Sequence, residues 1–201
     1  MQFRLTYGGM LKSTGNRSDA AHVHQIRRVF HAQLRKFWLS HPYLKDALWS
    51  DAITGRHVPT KLLRDKVAEE WARFDGYNFV PLVTESLSLA CGLDVLFLRP
   101  SMPGEIMKSG DIDGRMKTIF DALRMPESKS ELGGYDEPLE DESPFYVLLQ
   151  DDKLISHISI ATDILLEPTR AYAGPNDARL VISVSIKPVN TGWHNINFGG
   201  A

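Results

Sequence analysis

Residues 110–123 read GDIDGRMKTIFDAL, and this stretch determines how the rest of the chain is interpreted. Its apolar residues recur at the spacing of one helix face, which predicts a helix from about residues 111–113 to about Leu123. Asp111 and Asp113 stand at the entrance of that helix, and Lys117 lies one turn after Asp113 on the same face. The stretch therefore predicts a helix whose N-terminus carries two carboxylates and a lysine.

A second acidic pair, Asp151 and Asp152, precedes a predicted strand. If the fold brings this pair next to the start of the helix, three or four carboxylates lie around one point. Such an oxygen-rich, sulfur-free cluster suits Mg²⁺ or Mn²⁺. One or two of these ions can activate water and stabilise the leaving oxygen in phosphodiester cleavage. A nearby lysine, here Lys117, would offset the charge that develops on the phosphate.

A plainer interpretation fits the same residues. Asp113 can cap a helix, and Lys117 can pair with Asp113 and Asp121 across helix turns. The second acidic pair, followed by Lys153, can be a turn between two strands. The pattern alone leaves the catalytic and the structural interpretation open.

Apolar periodicity outward from this stretch predicts three helices and four strands. The strands cover residues 2–7, 93–98, 154–166 and 180–187, and the helices cover residues 19–40, 59–76 and 111–123. Residues 78–89 are ambiguous, because Pro81 would restrict a strand there to the edge of a sheet. The order β-α-(α)-β-α-β-β predicts an α+β (mixed α/β) fold, in which a small mixed sheet packs with helices.

Length and composition are those of one globular domain. The chain has 201 residues, of which 43% are hydrophobic and 24% charged, so it is not a disordered or fibrous chain. A single cysteine, Cys91, excludes an intramolecular disulfide and a cysteine-based zinc site, and fits a reducing compartment. We see no signal peptide and no stretch able to span a bilayer, so we expect a cytoplasmic protein without a membrane partner.

The net charge of −2 conceals an asymmetric distribution. Residues 1–45 hold eight basic residues and one acid, whereas residues 127–144 hold seven acids and one lysine. We call residues 127–144 the acidic insertion and expect it to be flexible, like the C-terminal tail at 188–201. The first helix carries a stripe of His24, Arg28, His31 and Arg35, which is either a solvated face or a row of phosphate contacts.

The spacing of the acidic groups resembles the RusA family of Holliday junction resolvases. In that family an Asp-x-Asp-Asn-x-x-Lys motif opens a helix ending in Asp-Ala-Leu, and an Asp-Asp pair follows. The matching residues are Asp111, Asp113, Lys117, Asp121-Ala122-Leu123, Asp151 and Asp152. The resemblance covers residues 1–45 loosely and 93–187 more firmly, and it implies a RusA-like domain over residues 1–187.

The resemblance implies a homodimeric, Mg²⁺-dependent endonuclease that nicks four-way DNA junctions symmetrically in recombination or repair. Asp111, Asp113 and Asp152 would then bind the metal and act in catalysis. Lys117 would act near the scissile phosphate, with Asp151 as an auxiliary metal ligand. We expect DNA contacts from basic residues of the first helix and of the motif region, namely Arg28, Arg35, Lys108 and Arg115.

The chain departs from the family pattern at two places. Gly114 stands where the family has Asn, so an amide that orients an acid is lost. The acidic insertion separates the two halves of the motif, and it either lies aside or repels DNA and narrows the choice of substrate. Two alternative functions stay open: a catalytically impaired RusA-like DNA-binding or assembly protein, and a metal-dependent phosphohydrolase of a small substrate.

Overall fold

The computed structural model describes residues 1–13, 19–49, 61–74, 76–100, 112–169 and 174–199. Nine strands are described: β1 (Gln2–Met10), β2 (Leu48–Trp49), β3 (Lys61–Leu62), β4 (Arg73–Phe74), β5 (Tyr77–Val83), β6 (Leu89–Arg99), β7 (Phe145–Leu149), β8 (Ile155–Ile164) and β9 (Asp177–Pro188). The described α-helices are α1 (Ala20–Ser40), α2 (Leu63–Lys66), which continues as a π-helical turn (Val67–Trp71), and α3 (Ile112–Leu123). Helices and strands are thus mixed along the chain, and the predicted α+β class is confirmed.

The largest sheet has four strands in the order β1-β9-β6-β8. Strands β1 and β6 both pair antiparallel with β9, whereas β6 pairs parallel with β8. Ile182 and Val184 of β9 are buried, while Ser183 and Ser185, which alternate with them, point to the opposite face. This alternation is what the sequence pattern over residues 180–187 predicted, and it gives the sheet one apolar and one polar face.

A second sheet has the order β4-β5-β7, and β2 and β3 form a separate antiparallel pair. All five residues of β7 are buried, and β5 pairs with it in parallel. Pro81 lies within β5 opposite Val147, and the described part of β4 reaches only as far as Asn78. Pro81 therefore has a strand neighbour on one side only, among the described residues, which is the edge-like position its missing N–H requires.

Helix α1 packs against β7, α3 and β1 and forms the centre of the core. Its buried apolar residues follow helical spacing: Val23, Ile26, Phe30, Leu34 and Trp38. Asp19 caps the helix by accepting a hydrogen bond from the backbone of His22 at 3.0 Å. Burial of each large apolar side chain contributes roughly 1.5–3 kcal/mol, so this face dominates the stability of the helix.

Arg27 joins α1 to the C-terminal end of α3. Its buried guanidinium donates to the backbone carbonyls of Asp121 at 2.8 Å and Arg124 at 3.1 Å. These carbonyls belong to the end of α3, where helical acceptors lack partners and a cation is favourable. Burial lowers the pKa of Arg27 to about 10, so it remains charged at neutral pH. The arginine thereby fixes the helix that carries Asp113 and Lys117.

The acidic insertion, which we expected to be flexible, packs against α1. Leu132 is fully buried, and Gly133 adopts φ +64° in direct contact with the backbone of Ala21. Glu142 is also buried and forms an ion pair with Arg28 at 2.6 Å. Glu142 thus neutralises an arginine of α1, while five of the seven acids of the insertion remain exposed.

The C-terminal residues are likewise packed, although we expected a loose tail. Phe198 is fully buried, and its carbonyl accepts a 2.7 Å hydrogen bond from the N-terminal amine of Met1. Asn195 is buried and donates to the carbonyl of Leu87 at 2.9 Å. Trp193, by contrast, is 92% exposed. The described part of the tail is therefore packed against the rest of the protein.

The second predicted helix is shorter than expected. Its expected start at Pro59 and Thr60 lies outside the described residues, and the helical segment ends at Trp71. Phe74, which we placed on the helix, belongs to strand β4 and pairs with Tyr77. The hairpin between β4 and β5 ends the helix before Gly76, because strand pairing competes with further helical turns.

Candidate active site

Asp113, Lys117 and Asp152 line one open cavity between α3 and β8. The cavity has a volume of about 360 Å³. Its remaining lining residues are Met116, Phe120, Asp121, Ile158 and Ile160. We call it the α3–β8 cavity. Three of the four predicted catalytic residues meet there although 35 residues separate Lys117 from Asp152.

Two local structures bring these side chains together. Asp113 and Lys117 are one turn apart in the N-terminal half of α3, and both are exposed. Asp152 opens a single 3₁₀ turn, Asp152–Leu154, that joins β7 to β8. Since β7 and β8 belong to different sheets, the chain must turn at this point, and the turn presents Asp152 to solvent beside α3.

Strand β8 supplies the apolar floor of the cavity. Ile158 and Ile160 pair with Leu93 and Val95 of β6, which are buried in the core. By alternation the two isoleucines are on the same face of the sheet, yet they are 46% and 39% exposed. The cavity therefore combines carboxylates at its rim with half-exposed apolar side chains beneath them.

Asp151 has a structural role in this arrangement. Its carboxylate accepts a hydrogen bond from the backbone of Lys153 at 2.9 Å and so caps the 3₁₀ turn. That backbone hydrogen bond, with further help from the Lys153 ammonium, holds the pKa of Asp151 below its usual range. Asp151 is absent from the cavity lining, so it positions the turn that carries Asp152.

Lys117 also borders a second, smaller cavity of about 170 Å³. Asp121, Arg124 and Glu131 line this cavity with it. Arg124 forms ion pairs with both acids, each at 3.1 Å, so one arginine ties the end of α3 to the acidic insertion. The family-like residue Asp121 is thus an ion-pair partner of Arg124 at the boundary of both cavities.

The donor atoms in the α3–β8 cavity suit a hard divalent cation. Asp113 and Asp152 offer carboxylate oxygens, and neither cysteine nor histidine is among the described residues that line the cavity. Within the described ranges no group of three or more His, Cys, Asp or Glu side chains has metal-binding geometry. The predicted ligand Asp111 lies outside the described residues. The cavity thus contains two of the four predicted metal ligands.

The predicted DNA-binding residues have different environments. Arg28 is engaged with Glu142, and its guanidinium lies 4.3 Å from the ring centroid of Tyr135. Arg35 is exposed, two turns further along α1. Arg115 is only 2% exposed and donates a 2.9 Å hydrogen bond to the side-chain oxygen of Asn176. Its predicted contact with DNA is therefore wrong, because the side chain lies in the interior of the protein. Lys108 lies outside the described residues.

Sequence reasoning missed the apolar floor of the α3–β8 cavity and Arg124, which lines the second cavity. Ile158 and Ile160 alternate along a predicted strand, which ordinarily indicates burial, and nothing local shows that α3 leaves them partly uncovered. Arg124 directly follows the Asp-Ala-Leu signature, but its partner Glu131 belongs to a segment we expected to be flexible.

Comparisons of the chain with protein-family models, with curated proteins and with solved structures found no match. Among the described residues, none of the helices has both the length and the apolar character needed to cross a bilayer. The function is therefore inferred from the geometry of the α3–β8 cavity.

Proposed function

We propose that this protein is a metal-dependent endonuclease that cleaves Holliday junctions or other branched DNA and acts as a homodimer. The observation that carries the proposal is the convergence of Asp113, Lys117 and Asp152 on one cavity. Helix packing and the turn between β7 and β8 bring these residues together. The same three residues carry the resemblance to RusA-like resolvases, so sequence pattern and geometry point to the same chemistry.

Asp113 and Asp152 would hold the divalent cation, Mg²⁺ or Mn²⁺. A bound ion of this kind supplies Lewis-acid stabilisation of phosphate oxygens and a more acidic water. Lys117 would place its ammonium against the negative charge that develops at the scissile phosphate. Its position one turn after Asp113 keeps the cation and the carboxylate on the same side of α3.

The shape of the cavity favours a polymeric substrate over a small one. It is shallow, and Asp113, Lys117 and Asp152 are all exposed at its surface. Small-molecule sites usually enclose most of their ligand. An open cavity rimmed by charged groups can instead accept a phosphate that protrudes from a duplex. We therefore favour a nuclease over a phosphohydrolase of a small substrate.

A specific observation supports a second candidate, a RusA-like protein that binds branched DNA without cutting it. Only two carboxylates in the α3–β8 cavity are predicted metal ligands, and Gly114 replaces the amide residue of the family motif. Loss of an orienting group lowers metal affinity or activity. Weak or absent Mn²⁺ binding in a calorimetric titration would favour this candidate.

Cleavage of a labelled four-way junction, beside a linear duplex of the same sequence, tests the proposal. We expect paired nicks near the branch point in Mg²⁺ or Mn²⁺ and none in a chelator. Asp113→Asn should lower the cleavage rate by about 10²-fold or more, since it removes a charged ligand at the reacting phosphate. Asp136→Asn is the matched control, because Asp136 is an exposed acid outside the cavity.

Each outcome separates the candidates. Junction cleavage that disappears in Asp113→Asn but persists in Asp136→Asn supports the nuclease. Junction binding without cleavage supports the binding protein. Cleavage that survives Asp113→Asn removes Asp113 from catalysis, and activity on a nucleotide with none on DNA indicates the phosphohydrolase.

A further inference from the structure

Strand β8 is a long and open edge of the main sheet. Among the described residues it pairs with β6 on one side and with no strand on the other. Six consecutive residues, 156–161, are exposed although they lie within a strand of ten residues. Unpaired N–H and C=O groups along such an edge form a template for another strand.

The sequence of β8 lacks the basic residues and proline that often protect an edge strand, and its one bulge, at Ser156, lies near the start of the strand. It reads ISHISIATDI, with no lysine, arginine or proline. Edge strands in natural proteins are usually protected from pairing by such residues, by β-bulges or by their short length. The opposite edge, β1, contains Arg4 and ends in the glycine pair Gly8-Gly9. The contrast indicates that β8 is paired in the functional protein.

We propose that two copies of this chain form a dimer by antiparallel pairing of β8 with β8 around Ile160. A two-fold axis at Ile160 places this residue opposite Ile160 of the partner subunit. The same register sets His157 opposite Asp163 of the partner subunit, and the reciprocal pair forms on the other side of the axis. The four-stranded sheets would then join into one sheet of eight strands.

Hydrogen-bonding complementarity between an imidazole and a carboxylate selects this register. His157 and Asp163 are both exposed and, six residues apart in a strand, project from the same face. His157 also lies 3.6 Å from Asp94 of its own chain, so it would have a carboxylate on either side. A register one residue away, centred on Ser159, would set His157 opposite Ala161 and forfeit both pairs. Cross-strand pairs of side chains that can hydrogen-bond stabilise a sheet.

The dimer would bring the two α3–β8 cavities together. A two-fold axis perpendicular to the sheet leaves both cavities on the same face of the joined sheet. Ile158 and Ile160 of each copy would form one apolar strip between them. The inference deepens the proposed function, since two sites on one face can act on two strands of one branched DNA. The proposed interface consists of β8 from each copy, so it can be tested without DNA.

Disulfide trapping tests the register. In Ile160→Cys the two cysteines would be direct cross-strand partners, about 4.5–5.5 Å apart between Cα atoms, within the range of a disulfide. In Ser159→Cys each cysteine would be offset from its copy by two residues, about 8 Å, which is too far. The native Cys91 is fully buried, so the introduced thiol reports alone.

We expect Ile160→Cys to form a covalent dimer under mild oxidation and Ser159→Cys to remain monomeric on a denaturing gel. Preferential cross-linking of Ser159→Cys would overturn the proposed register. A wild-type chain that stays monomeric in sedimentation at about 100 μM, together with no cross-link in either variant, would overturn the interface.

Asp163→Lys provides a second test that leaves Ile160 intact. It removes both His–Asp pairs and adds a lysine to the edge, so the dimer dissociation constant should rise on the order of tenfold. Asp46→Lys makes the same charge change at an exposed residue outside β8 and should leave the constant unchanged. Equal dissociation constants for the two variants would contradict the proposal. A dimer that fails to cut DNA would leave the interface standing and count against the proposed nuclease.

Discussion

Gly133→Ala tests whether the acidic insertion is held against α1. Gly133 has φ +64°, and a Cβ atom there would lie 2.3 Å from the backbone nitrogen of Ala21 and 2.4 Å from its Cα. Neither atom can move aside without shifting the start of α1. Gly134 is the matched control, because it has φ +88° but no heavy atom within 4 Å of its ideal Cβ position.

Comparing the two substitutions separates the cost of backbone strain from the cost of losing the contact between the insertion and α1. A left-handed conformation costs an alanine about 1–2 kcal/mol at either position. At Gly133 the added methyl must also be accommodated, and the simplest route is release of the insertion from α1. Release exposes Leu132, which is fully buried, at a further cost of about 1.5–3 kcal/mol. We therefore expect Gly134→Ala to lower the free energy of unfolding by about 1–2 kcal/mol and Gly133→Ala by about 3–5 kcal/mol.

Urea unfolding followed by tryptophan fluorescence measures the two losses. Digestion with a glutamate-specific protease reports the local change, because residues 127–144 contain five glutamates. Gly133→Ala should be cut within the insertion faster than Gly134→Ala or the wild type. If the two variants lose the same stability within about 0.5 kcal/mol and are cut at the same rate, the insertion does not dock through Gly133.

Two further predictions concern buried titratable groups. Burial, with a smaller contribution from Arg27 and Arg28, lowers the pKa of His24 from 6.5 to about 3. Because the unfolded chain takes up this proton below about pH 6.5 and the native chain does not, stability should fall by about 2 kcal/mol at pH 5, and the decline should be smaller in His24→Gln. An unchanged decline in that variant would assign the effect to other groups. Burial also raises the pKa of Cys91 to about 12, so an aromatic disulfide reagent should label it only in urea; labelling of the native protein would contradict its burial.

The fold was predictable where one face of an element is buried and the other is not. Helix α1 and strand β9 have this character, and their periodicity places them to within a few residues. Strands β5 and β7 are buried on nearly every residue, so their sequences show no alternation and their pairing is invisible in the pattern. Residues 78–89, which include most of β5, were ambiguous in the sequence because Pro81 restricts a strand there to the edge of a sheet.

The candidate site was predictable in part for a similar reason. Asp113 and Lys117 are related by helix geometry, and Asp152 follows a recognisable acidic pair. The apolar floor at Ile158 and Ile160 depends on how far α3 covers β8, which no local pattern encodes. The environment of Arg28 was equally hidden, because its partner Glu142 lies 114 residues away in the sequence.

The docked insertion changes what the charge asymmetry of the sequence means. From the sequence alone, the basic N-terminal segment and the acidic insertion were expected to be separate surfaces, one that binds DNA and one that repels it. In the structure Glu142 neutralises Arg28, Glu131 neutralises Arg124, and Tyr135 covers the Arg28 guanidinium. The middle of α1 is therefore occupied by the protein's own acids and has little free charge to offer a phosphate.

On the proposed function, DNA must then approach from another direction. Lys117 is exposed on α3, and the backbone of Lys12 accepts a hydrogen bond from Thr118 at 3.1 Å, which brings the end of β1 next to the same helix. The Lys12 ammonium pairs with Asp19 at 2.7 Å, whereas Lys117 lines the α3–β8 cavity. A dimer formed through β8 places two such approaches on one face. On this proposal the insertion closes the middle of α1 to a phosphate, and the positive charge at the cavity would come from Lys117 together with a divalent cation held by Asp113 and Asp152.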